Sequence, residues 1–162
     1  MSPTLLTSLR GATLIEALVA TCVLTTGVLA MAKLMTIATT ANLSARSSTV
    51  AAILAEERVE QLRALGRIGL DVSPPSALQR NTPGFVDYVD AYGVSVGGGG
   101  EAPPQAIYSR RWSVEPLAGH AGSAFLIQVL VTPYRDRGRA DQGDVLRLPG
   151  EARLVTVTRS LP

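Results

Sequence analysis

The sequence predicts an α+β fold, a lollipop in which one long N-terminal α-helix packs its second half on a small antiparallel β-sheet. Three observations carry this. From Ala12 to Leu65 there is one glycine and no proline, whereas residues 66–162 hold 13 glycines and 9 prolines. The apolar residues of 46–67 recur with helical period, and those of 108–114, 125–131 and 155–158 alternate as strands do. Charged residues make up 17% of the 162-residue chain, against about 25% in an ordinary soluble domain. A simple cytosolic globule is excluded by this division into two physical regimes.

The N-terminal segment admits three readings. Between Gly11 and Ala32 the only charge is Glu16. Thr13 to Ala32 is 20 residues, about 30 Å of helix and enough to cross a bilayer core. One reading is a plain membrane anchor. Another is a secretory signal released after Ala32, for which Ala30-Met31-Ala32 supplies the small residues of a cleavage site. A charge at the start of the apolar core and helical patterning that continues past Ala32 argue against it. The third reading turns on Arg10-Gly11-Ala12-Thr13-Leu14-Ile15-Glu16. A polar leader ends in glycine, where a protease can approach the backbone closely. Cleavage there frees the amine of Ala12, one helical turn before Glu16. A carboxylate in a bilayer is costly unless paired and is a functional candidate by default. The amine of a neighbouring subunit is a natural partner; the bland alternative is that Glu16 snorkels to the interface.

The stretch Gly11-Ala12-Thr13-Leu14-Ile15-Glu16-Ala17-Leu18-Val19-Ala20 resembles the signature of type IV prepilins and type II secretion pseudopilins. The detailed likeness runs from Arg10 to Leu65, and beyond that it is architectural. The resemblance implies removal of residues 1–11 by a prepilin peptidase, N-methylation of Ala12 and a role for Glu16 in subunit assembly. It departs from the family at Ala12, which stands where phenylalanine is usual. Arg10 and the start amine precede the apolar run, so the N-terminus is expected in the cytoplasm and the head in the periplasm.

Beyond Ala32 the helix is expected to continue to Leu65, about 54 residues and roughly 80 Å in all. Val50, Ala51, Leu54, Ala55, Leu62 and Leu65 fall on one arc; Glu56, Glu60, Arg63 and Arg67 lie opposite, with Glu60 and Arg63 at ion-pairing distance in sequence. Arg58 intrudes on the apolar arc without a reason visible in the sequence. Gly66 and Gly69 offer stops, and Pro74-Pro75 forbids continuation. Gly27 is a weak point of the helix that serves melting or close packing, or is simply tolerated in apolar surroundings.

Residues 71–104 read as loop, with 85–89 either a strand or a packed segment. The four glycines 97–100 read as a flexible tip, because no P-loop lysine or hydroxyl follows them. Three strands follow: Tyr108, Trp112 and Val114 alternate with Ser109, Arg111 and Ser113; Phe125, Ile127, Val129 and Val131 form a second stripe; Val155 and Val157 alternate with Thr156 and Thr158. No helical pattern intervenes, so antiparallel pairing is expected, with the amphipathic half of the helix covering the apolar face.

Catalytic and metal chemistry find little support. His120, the single histidine, sits with Ser123 in a short glycine turn that has no orienting carboxylate nearby. Cys22 is the only cysteine, which excludes an intrachain disulfide. The loop 135–144 mixes three carboxylates with three arginines but lacks EF-hand spacing for calcium. Its arginines are not interleaved with aromatics, and no segment is basic enough to claim DNA. The expectations are therefore a leader at 1–11, a transmembrane half-helix at 12–32, an amphipathic half at 33–66 and a β-rich head at 67–162, with no enzyme activity and no cofactor. The resemblance points to a minor pilin of a type IV pilus; the stretch 56–63 and the strand 108–112 resemble such minor pilins and also the minor pseudopilins of type II secretion, the alternative. The expected partners are prepilin peptidase, other major and minor pilins and the inner membrane; a secreted binding module is the reading from another class.

Overall fold

The computed structural model describes residues 13–65, 70–119, 124–134 and 150–159. One helix, α1 (Leu14–Leu65), is followed by five strands: β1 (Val86–Val89), β2 (Ser95–Gly98), β3 (Tyr108–Pro116), β4 (Ala124–Pro133) and β5 (Ala152–Arg159). The fold is α+β, as the sequence predicts. By internal contacts the chain divides into two compact units, one ending at Asn42 and the other beginning at Leu43.

Within the first unit the helix is apolar all round. Leu14, Val23, Leu24, Leu29, Met31 and Leu34 are all exposed. Its hydroxyls find partners inside the helix itself. Thr21 donates to the carbonyl of Leu18, Thr25 to Thr21 and Cys22, Thr26 to Cys22 and Val23, Thr36 to Ala32, Thr39 to Met35 and Thr40 to Thr36 and Ile37. Such back-bonding leaves no threonine hydroxyl of this stretch in need of water, the condition a hydrocarbon environment imposes. A helix of this length and apolarity is able to cross a membrane.

In the second unit, the last turns of α1 pack on the sheet, whose order is β2-β1-β3-β4-β5 with every neighbouring pair antiparallel. Ala51, Leu54, Ala55, Val59 and Leu62 meet Val89, Trp112, Val114, Ile127, Val129 and Val131 in one core. Small Ala51 and Ala55 let the helix approach closely, and the longer residues around them fill the seam. Two positions differ from the sequence expectation: Val59 belongs to the buried arc, and Leu65 stays exposed. Glu60 and Arg63 form the anticipated pair at 2.6 Å, and Arg63 also donates to the Thr156 hydroxyl of β5.

The sheet extends one hairpin further than the alternation indicates. Within residues 85–89, Val86–Val89 form strand β1, and the glycine run 97–100 begins inside β2 instead of forming a free tip. The glycines there serve close approach. A Cβ on Gly98 would lie 3.0 Å from the Val86 carbonyl oxygen, and one on Gly97 would lie 3.1 Å from the Pro103 ring. β3 is buried on both faces, because residues 77–81 and Ala106 cover the side away from the helix. Ser109 and Thr132 hydrogen-bond there at 2.8 Å, and Arg111 donates to Asn81 and to the carbonyl of Leu78. Ser109 and Arg111 therefore mark a second, hydrogen-bonded interior layer and not a wet surface, while the Ser113 hydroxyl is buried there without a hydrogen-bond partner among the described residues.

Candidate assembly site at the start of the helix

Thr13 stands immediately before α1 and Glu16 lies in its first turn. The Thr13 backbone N–H donates to Glu16 Oε2 at 2.8 Å, and the Thr13 hydroxyl donates to the same oxygen at 3.2 Å. In return the Glu16 N–H points to Thr13 Oγ1 at 3.4 Å. This is a reciprocal capping box: orphan donors of a helix start are satisfied by the side chain three residues on. The carboxylate also faces the positive end of the helix dipole. The Thr-x-x-Glu spacing at 13–16 was readable in the sequence, yet a reading centred on charge in a bilayer passes over it. Gly11 and Ala12, the two other residues expected in this site, lie outside the described residues.

The arrangement can do two things chemically. It holds the carboxylate at a fixed height and rotamer at the head of the apolar helix, and it keeps that oxygen hydrogen-bonded without an outside partner. The other Glu16 oxygen, Oε1, makes no hydrogen bond to another described residue.

Two charged clusters lie in the second unit. Arg110, only 3% exposed, forks onto Asp87 through Nε at 2.9 Å and a terminal nitrogen at 2.7 Å. Its other terminal nitrogen donates to the Leu54 carbonyl at 3.2 Å and lies 3.5 Å from Glu57. A buried arginine with a bidentate carboxylate is a fixed joint between strand and helix. Arg58 stacks on Trp112, with its guanidinium carbon 3.8 Å from the ring centroid. That contact explains the charge on the apolar arc that the sequence leaves unaccounted for. Burial pulls the Arg58 pKa down from the ordinary guanidinium value, and the Asp87 charge opposes this. Arg58, Trp112, Phe85 and Leu62 border a cleft of about 290 Å³. His120, Ser123 and the loop 135–144 lie outside the described residues. Cys22 is a free thiol. No family model matches the chain, and comparison with the curated proteins and with solved structures returns no match.

Proposed function

We propose that the chain is a minor subunit of a type IV pilus, matured by removal of residues 1–11 and held in the inner membrane by α1 with its head in the periplasm. The single observation that supports this most is the placement of Glu16. One carboxylate, capped and oriented by Thr13, stands at the head of an otherwise apolar and exposed helical stretch. An ordinary anchor has no use for a charge at that depth, and a carboxylate of fixed height suits axial registration against the Ala12 amine of an adjacent subunit. The pair need not add net stability, since desolvation offsets its Coulomb attraction; its work is register. Continuity of the helix through Ala30, Met31 and Ala32 supports an integral subunit over a module released after Ala32. In this reading the partners are prepilin peptidase and other pilins, and the head serves assembly instead of catalysis.

Substituting Glu16→Ala tests the reading. The variant is expected to be cleaved, inserted and folded as before, but to be lost from assembled filaments and from co-purification with partner pilins. Recovery at wild-type levels in sheared pili would contradict the register role.

A further inference from the structure

The cleft beside Trp112 is bordered by an arginine whose charge no neighbour takes up. Arg58 donates through Nη1 to Gln61 at 2.9 Å. Its Nε is buried without a hydrogen-bond partner among the described residues; Nη2 has none either, and stays reachable by solvent. No described carboxylate forms an ion pair with Arg58. The two whose charge reaches it from a distance, Asp87 and Glu57, are engaged elsewhere. Arg110 grips Asp87 at 2.7 Å, and Glu57 faces Arg110 at 3.5 Å while accepting from Gln61 at 3.1 Å. Arg110 shows what the same edge of a guanidinium does when it is supplied with a carboxylate. Its Nε and Nη2 fork onto the two oxygens of Asp87, whereas the Nε and Nη2 of Arg58 have no oxygen to hold. A part-buried donor left in that state carries a desolvation cost that an anion relieves.

The rest of the wall is mostly apolar, built by Leu62, Leu70, Phe85, Trp112 and Val114. Trp112 is fixed on both sides: the Arg58 cation lies over its ring, and Phe85 meets it at a tilt with centroids 6.4 Å apart. The cleft of about 290 Å³ matches about ten water volumes, room for a body of about ten carbon atoms. A concave, mostly apolar space with one placed polar group is the usual form of a small-molecule site. One opposing charge lies on the same border. Asp71 is exposed and unpaired among the described residues. Water and salt screen an exposed charge far more than a part-buried one. Arg58 therefore decides the sign of the ligand, and Asp71 disfavours a second negative charge on it.

We infer that this cleft binds a small monocarboxylate with an aromatic or branched apolar body, its carboxylate on Arg58 and its body against Trp112, Phe85 and Leu62. The first contact is at Nη2. A small turn of the guanidinium then brings the covered Nε onto the second oxygen, the fork that Arg110 already makes with Asp87. The apolar wall supplies most of the attraction, and the charge supplies the choice of ligand. The site lies wholly in the head, so it stands or falls separately from processing after Gly11 and from the assembly role of Glu16.

Trp112 is the only tryptophan of the chain, so its fluorescence and its indole N–H resonance report on this cleft alone. Titration of the full chain in lipid nanodiscs with three probes of one shape tests the proposal: hydrocinnamate, and the alcohol and the amine that share its phenylpropyl body. Hydrocinnamate is expected to give a saturable response with a Kd on the order of 1 mM. The alcohol and the amine are expected to bind about tenfold more weakly or worse. Arg58→Gln, with a circular-dichroism melt matching the parent, is expected to weaken hydrocinnamate by about tenfold, to the level of the alcohol. Asp71→Asn, a change at an exposed position, is expected to tighten it by about threefold. The probe series and Asp71→Asn decide the matter if Arg58→Gln fails to fold. Absence of a saturable response to hydrocinnamate would overturn the proposal. So would an alcohol or amine that binds as tightly, or hydrocinnamate binding indifferent to the substitutions.

Discussion

Thr13 and Glu16 close a ring of hydrogen bonds in which one carboxylate oxygen takes two donors from a single residue. Thr13→Val removes the hydroxyl but keeps the backbone donor, so the carboxylate keeps its place with less support. Amide exchange over residues 13–17, measured in lipid nanodiscs, is expected to quicken by about fivefold, the loss typical of an N-cap; unchanged exchange would remove the capping box from the account. A second residue-scale prediction concerns Asp87. Asp87→Ala takes the bidentate partner from buried Arg110, leaving it only the half-exposed Glu57 carboxylate at 3.5 Å, and is expected to cost about 3 kcal/mol in chemical denaturation. The double variant Asp87→Ala/Arg110→Met removes the charge along with its partner and is expected to recover most of that loss. If the double variant is as unstable as the single one, the joint is not electrostatic. The pair is illegible in the sequence, where Asp87 and Arg110 are 23 residues apart and Arg110 is one of two adjacent arginines in a stretch that alternates with serines. Arg58 is hidden for the same reason, since its partner is an aromatic face brought in by the fold.

At the scale of elements, stability rests on how closely α1 meets the sheet. Ala51 and Ala55 are completely buried while Ala52 is exposed. Ala51→Leu and Ala55→Leu are each expected to cost about 1–3 kcal/mol through overpacking, and Ala52→Leu to leave the denaturation midpoint unchanged. Equal effects at all three positions would mean that the helix does not dock on this face. The start of β5 is similarly tight: Gly150 has φ +85°, and a Cβ there would collide with the Ser47 side chain of the helix. Gly150→Ala is therefore expected to destabilise the head by about 1–3 kcal/mol and to slow refolding less than it speeds unfolding if β5 docks late. The helix, β3, β4 and β5 were legible because each shows a period long enough to read. β1 and β2 were not. Each is only four residues long, β1 is buried at every position so that no alternation survives, and β2 is half glycine. The second interior layer behind β3 was equally hidden, because Ser109, Arg111 and Ser113 look solvent-facing until residues 77–81 fold over them.

For the whole molecule, the account joins an apolar helix that satisfies its own hydroxyls to one oriented carboxylate at its head. The position of Glu16 was legible from sequence because a lone charge stands out against 20 apolar or small neighbours; the order of the strands was not, since β1 and β2 lie beside β3 on the side away from β4 and β5. The central claim is that Glu16 sits at a fixed distance from a new N-terminus made by cleavage after Gly11. The most direct measurement is the intact mass and N-terminal sequence of the chain extracted from membranes, beside a Gly11→Leu variant. The account predicts a mature chain beginning at Ala12 and a variant that stays at full precursor length in the membrane. A chain beginning at Met1 or at Lys33, or a Gly11→Leu chain shortened as the wild type is, would contradict it.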